Sequence, residues 1–194
     1  IGAFRRVQHL PGKQMILAHL QVLVGVVADQ LEGLAVIHRD GQNHAVTLAF
    51  AVTDAFIGIV DDGLDLDHPD LSTNYDSTND YDYCGNDGNP SPSNWDAHGT
   101  AAAGVAAATG NNSIGVSGAA PDANLAGLRL ISCSLSDSRE ANALGHENQI
   151  IDIYSNSWGP SDGGNTLEAP GPLMMAAFED DTANGRGGLG NIIT

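Results

Sequence analysis

Three features of the sequence predict a three-layer α/β fold, with a mainly parallel sheet and helices on both faces. Apolar runs of strand length recur as FIGIVD (56–61), NLAGLRLI (124–131) and IIDIYSNS (150–157). Segments of helical character separate them. FIGIVD is also continuously apolar up to an acidic turn, as a strand covered on both faces should be. In such sheets chemistry gathers at the carboxyl ends of strands, where Asp61 and Ser157 fall.

Taken in order, residues 1–50 contain an apolar stretch, MILAHLQVLVGVVADQLEGL, whose hydrophobic positions fit helix and strand templates equally. After FIGIVD comes a loop rich in Asp, Asn, Gly, Pro and Ser, from Ser72 to Asn94. HGTAAAGVAAA (98–108) suits a buried helix, because its small residues allow close packing on a sheet. NLAGLRLI is the second strand, SREANALG a short amphipathic helix and IIDIYSNS the third strand. PLMMAAFEDDTANG predicts a further helix before the apolar GNIIT.

At 194 residues the chain suits one domain with a sizeable core. With 24 acidic and 7 basic residues its formal charge is −17, which excludes nucleic acid and anionic lipid as electrostatic partners and favours cations or basic peptides. Four basic residues (Arg5, Arg6, Lys13, Arg39) balance four acidic ones (Asp29, Glu32, Asp40, Asp54) up to residue 60, so the net negative charge lies beyond it. No run of eighteen apolar residues predicts a membrane span. No secretory signal is visible, and because the sequence begins without Met this says little about compartment. Two cysteines, Cys84 and Cys133, are too few for a disulfide framework, and their pairing stays open.

An Asp ending a strand, a His opening a helix through His-Gly-Thr, and a Ser-x-Gly segment after a later strand are parts of a Ser-His-Asp protease. The segments IGIVDDGLDLDHPDL (57–71), HGTAAAGVAAATGNNSIGVSGAAPDANLAGLRL (98–130) and DIYSNSWGPSDGG (152–164) resemble successive signatures of the subtilisin-like serine proteases. The Asp-Asp-Gly triplet and Ser-Trp-Gly-Pro resemble the kexin/furin, proprotein-convertase branch. The resemblance covers residues 56–194 and implies a partial subtilase catalytic domain, that is, a truncated subtilisin-like fold. Residues 1–55 stay unassigned. A shifted reading frame or gene-model error is one hypothesis for them, refuted if no other frame of the nucleotide sequence encodes a better N-terminus.

By this resemblance Asp61 is the triad carboxylate and His98 the general base. Ser157, Trp158 and Gly159 would pair with the peptide substrate through backbone hydrogen bonds. Asp162 would line the pocket for the residue preceding the scissile bond, Asp62 the next pocket, and Glu140 with Glu168 more distant ones, favouring cleavage after basic residues. NWDA, before His98, departs from furin's wording and leaves dibasic selectivity open. Asp70 with Asn112, Ile114 and Val116 resembles a structural Ca²⁺ site, an oxygen donor set suited to that ion. The family's oxyanion Asn and nucleophilic Ser motifs are not in the sequence, so residues 1–194 alone are expected to be inactive. A secreted or periplasmic enzyme, monomeric when complete and acting on peptides or proteins, is what the resemblance implies.

Two rivals are weaker and a third stays open. IGIVDDG also resembles the acidic strand end of phosphoacceptor receiver domains, but no acceptor Asp lies at their spacing, and Lys13 is the only lysine. GRGGLG (185–190) satisfies a dinucleotide pattern but follows a helix and precedes a strand, the reverse of what phosphate binding requires. A non-catalytic subtilase-fold binding module is the third reading. Intact Asp61 and His98 argue against it.

Overall fold

The computed structural model describes residues 35–38, 47–50, 55–159, 163 and 169–194. The stretch MILAHLQVLVGVVADQLEGL lies outside them up to residue 34. The chain divides into two compact units, 1–50 and 51–194. In the first, β1 (Ala35–His38) and β2 (Thr47–Phe50) form an antiparallel pair in register from Ala35 with Phe50 to His38 with Thr47.

The second unit is built on a five-stranded sheet of β3 (Phe56–Asp61), β4 (Tyr81–Asp82), β5 (Asn124–Arg129), β6 (Ile153–Asn156) and β7 (Ile192–Ile193). Their spatial order is β4-β5-β3-β6-β7, and every pairing is parallel. The connections carry α1 (His98–Ala107), α2 (Asp137–Leu144) and α3 (Pro172–Gly188). The predicted α/β class is therefore the observed one.

The two faces of the sheet follow from the period of two along each strand. Ile57, Ile59 and Leu125 point to one side, where Ala103 and Ala107 of α1 and Leu64 and Leu71 complete a core. Phe56, Val60, Ala126 and Leu128 point to the other, against Ala143 and Leu144 of α2, with Met174 and Phe178 of α3 packed on that cluster. The alanines of α1 matter for distance, since a short side chain lets the helix backbone approach the strands closely. α2 starts at Ser136, whose hydroxyl accepts the Arg139 N–H as an N-cap. α3 starts with Pro172 at its first turn, where the missing N–H costs nothing.

Chain order decides where the site forms. From central β3 the chain crosses through α1 to β5 on one side, then returns through α2 to β6 on the other. The crossovers diverge at the carboxyl end of β3, the switch point of the sheet, where Asp61 lies. The loop predicted from Ser72 to Asn94 contains one unpredicted element, β4, which pairs with Leu128 and Arg129 of β5. Two residues are too short for any hydrophobic period, and what holds them is a pairing across 47 positions: Arg129 Nη1 to Asp82 Oδ2 at 2.8 Å.

Cys84 and Cys133, left open by the sequence, form a disulfide with Cα atoms 5.7 Å apart. It ties the segment after β4 to the segment after β5. No helix of the described residues is long and apolar enough to cross a membrane.

Candidate active site

Asp61 ends β3 and is 1 % exposed. Its Oδ1 accepts the N–H of Asp62 at 2.7 Å, and its two oxygens lie 2.9 and 3.0 Å from His98 Nδ1. An ionised carboxylate only accepts, so the proton of this contact sits on Nδ1 and Nε2 keeps its lone pair. The His98 side chain is 57 % exposed, so the ring is held at one nitrogen and open to solvent. Hydrogen bonding to Asp61, with attraction to its charge, raises the His98 pKa above the ordinary 6.5.

His98 is placed by the start of α1, and that start is fastened from a distance. Ala97 supplies no side-chain cap. Instead the N–H groups of His98 and Gly99 donate to Asp62 Oδ2 and Oδ1 at 3.1 and 2.7 Å. A carboxylate at a helix N-terminus satisfies unpaired donors and complements the positive end of the helix dipole. Each Asp62 oxygen takes one N–H of α1 and keeps a further lone pair, so these bonds are compatible with the expected place of Asp62 in a substrate pocket. Gly99 completes the fit, because a Cβ there would stand 2.3 Å from the Gly63 carbonyl oxygen and 2.8 Å from Asp61 Cβ. Only glycine lets α1 begin so close to the end of β3.

Beneath this pair lies a polar platform that motif reading missed. Arg129, at the end of β5, donates to the Asp62 carbonyl oxygen (3.3 Å), Asp82 Oδ2 (2.8 Å) and Ser93 Oγ (2.6 Å). Ser132 Oγ lies 2.8 Å from the Asp62 carbonyl oxygen and 2.7 Å from Asp96 Oδ2. Its hydrogen bond is the main reason the Asp96 carboxyl titrates below its ordinary value. The signal was present: an arginine at the end of an otherwise apolar strand in a chain with few cations needs a buried partner.

The remaining predicted residues fall in three groups. Ser157, Trp158 and Gly159 directly follow β6, and the Trp158 indole N–H donates to the Val60 carbonyl at 2.8 Å, fixing this segment to β3. Glu140, on α2, borders a groove of about 460 Å³ with Leu135, Trp158, Gly159, Met174 and Phe178. Asp162 and Glu168 lie outside the described residues.

The third group is Asp70 and its loop. Asp70 is 2 % exposed, with Oδ1 accepting from Asn112 Nδ2 (2.7 Å) and Oδ2 from the Val116 N–H (2.9 Å). These bonds hold its carboxyl below the usual range. Gly115, at φ +50, lets the loop wrap the carboxylate, since a Cβ there would be 2.2 Å from Asp70 Oδ2. Among the described residues no three His, Cys, Asp or Glu side chains converge as metal ligands. An ion here would depend on one carboxylate, one amide and backbone carbonyls, which is the hard oxygen chemistry of Ca²⁺. Turning the Asn112 amide over exchanges its nitrogen for oxygen beside Asp70, so the donor types fit.

A buried carboxylate gripping one nitrogen of a solvent-facing imidazole, at the carboxyl end of a central parallel strand, leaves the other nitrogen able to take a proton. The chain belongs to the subtilase family, whose model matches residues 53–193. It is 47 % identical over 140 residues to proprotein convertase subtilisin/kexin type 6 of Rattus norvegicus, covering 70 % of this chain and 15 % of that protein. To neuroendocrine convertase 2 of Homo sapiens it is 43 % identical over 141 residues, covering 70 % and 22 %. Among solved structures, the serine protease of Aeromonas sobria matches with TM-score 0.58 and 30 % identity over 68 % of this chain and 23 % of that one. Sphericase matches with TM-score 0.53 and 29 % identity over 66 % and 42 %. The chain thus spans about a seventh to a fifth of the length of these curated convertases.

Proposed function

We propose that residues 56–194 are the part of a serine endopeptidase catalytic domain that supplies the carboxylate and the base, and that the whole enzyme hydrolyses peptide bonds after basic residues. The single observation carrying this reading is the His98 Nδ1 contact with buried Asp61, which leaves Nε2 open to solvent. In the reaction His98 Nε2 takes the proton of a serine hydroxyl as its oxygen attacks the scissile carbonyl. The imidazolium so formed is stabilised by Asp61 and returns the proton to the leaving amine. Water then repeats the sequence to release the acyl group. The nucleophilic serine is that of the whole enzyme.

Substrate selection rests on the segment Ser157–Gly159 as a pairing edge, on Asp162 for a basic side chain beside the scissile bond, and on Glu140 and Glu168 for more distant ones. The groove under Glu140 supports this. Its apolar floor suits the methylene stem of Arg or Lys while the carboxylate meets the head group. The test is cleavage of peptides by the full-length protein. Turnover after Arg at least about tenfold faster than after Leu is expected, and a polypeptide that binds such peptides without cleaving them would favour the binding-module reading instead.

Calcium would be held by Asp70, the Asn112 amide oxygen and the carbonyls of Ile114 and Val116, where it would brace the 109–117 loop and take no part in the chemistry. Thermal unfolding of the full-length protein should show a midpoint several degrees higher in Ca²⁺ than in chelator, with the difference abolished in Asp70→Ala. An unchanged midpoint in the wild type would remove calcium from the account. The disulfide supports an oxidising, exported location, secreted or periplasmic.

A further inference from the structure

Arg129 ends β5 in the sheet row that also holds Asp82 of β4 and Asp61 of β3. Its side chain is 12 % exposed, and each of its nitrogens has a different partner: Nη1 meets Asp82, Nε the Asp62 carbonyl and Nη2 the Ser93 hydroxyl. Asp82 neutralises the charge. The other two oxygens belong to the segments that place the candidate catalytic pair. Asp62 directly follows Asp61, and Ser93 opens the turn before His98, its carbonyl accepting the Asp96 N–H at 2.9 Å. The carbonyl of Asp61 itself is held from the same strand end, since the Leu130 and Ile131 N–H groups both donate to it, at 2.8 and 3.2 Å. One guanidinium therefore bridges the strand end that carries the carboxylate and the turn that delivers the base.

The geometry points to Arg129 as a positioning residue for the Asp61–His98 pair, acting through Asp62 and Ser93 to fix the turn after the carboxylate against the turn before the base. This rests on the protease reading above. An ion pair with Asp82 alone would occupy one nitrogen, and a lysine would serve for it. Holding three oxygens of three separate segments at once needs the planar fork of a guanidinium, because an ammonium is a point charge on a flexible stem. What the fork protects is a contact of 2.9 and 3.0 Å between the Asp61 oxygens and His98 Nδ1. A misplacement of about 1 Å in such machinery costs about a hundredfold in rate, even when its origin lies away from the reacting atoms.

The experiment measures kcat and KM of the full-length protein across pH, on a peptide cleaved after Arg, for wild type, Arg129→Lys, Ser93→Ala and the double variant. Arg129→Lys keeps a cation beside Asp82 and should lower kcat at least about tenfold, with KM within about twofold of wild type. The acid limb of its kcat/KM should move down in pH, because a looser contact with Asp61 raises the His98 pKa less. Ser93 is exposed, so Ser93→Ala should leave the fold intact. It should lower kcat about threefold in wild type but less than about 1.5-fold in Arg129→Lys, since both changes cut the same link. A kcat in Arg129→Lys within about twofold of wild type, an acid limb left in place, or losses that simply multiply in the double variant would each make Arg129 a structural ion pair and overturn the inference, with the protease reading intact. Should Arg129→Lys not fold, an unchanged kcat in Ser93→Ala overturns it. A wild type that cleaves no peptide refutes the protease reading itself.

Discussion

In the full-length polypeptide, Asp61→Asn lowers kcat/KM by about 10⁴-fold, the loss expected when a triad carboxylate becomes an amide that can no longer hold the imidazole in its working tautomer. The reason is local. Asp61 is buried, and both of its oxygens reach His98 Nδ1, so no water can replace it. His98→Ala should cost at least as much, because the general base itself is gone. The pH profile separates chemistry from misfolding. Asp61 raises the His98 pKa, and the base works only when deprotonated, so the acid limb of kcat/KM should fall above the ordinary 6.5 and move down in Asp61→Asn. The linkage to stability has the opposite sense: the protonated pair stabilises the fold below pH 6.5, and that contribution fades as pH rises through the elevated pKa. With the ring more than half exposed, solvent screens it, so the profile of activity and not of stability is the informative readout.

The second large effect is structural. Removing the Cys84–Cys133 bond, as the double alanine variant, should destabilise the catalytic domain by about 4 kcal/mol, the loop-closure value for a link across 49 residues. Urea unfolding of the full-length oxidised protein and the variant measures it, and a difference under about 1 kcal/mol would show that the segments are held without the bond. Activity should fall with stability. Cys133 directly follows Ser132, and Cys84 lies two residues after Asp82, so the disulfide closes the frame that carries Arg129, Asp62 and the turn before His98.

These effects mark what the sequence made legible and what it did not. The central strand could be read because FIGIVD is apolar without interruption and ends in an acidic pair, and the partners of Asp61 could be read because His-Gly-Thr opens a small-residue helix. Both are local patterns. What stayed hidden depends on contacts across long separations. β4 is two residues long and exists because Arg129 pairs with Asp82. The disulfide joins positions that no spacing rule connects. The hold of Asp62 on the N-terminus of α1 spans 36 and 37 positions and shows in no local pattern. The antiparallel pair of β1 and β2 was unread, because residues 1–50 offered no reading that separates helix from strand.

The central proposition is that Asp61 and His98 activate a serine, and active-site labelling tests it most directly. Full-length protein is treated with a fluorophosphonate and the adduct is located by peptide mass spectrometry, in wild type and in His98→Ala. A single modified serine in wild type, with labelling at least about 10³-fold slower in His98→Ala, is the expected result. An unmodified wild-type protein, or equal labelling in both, would contradict it.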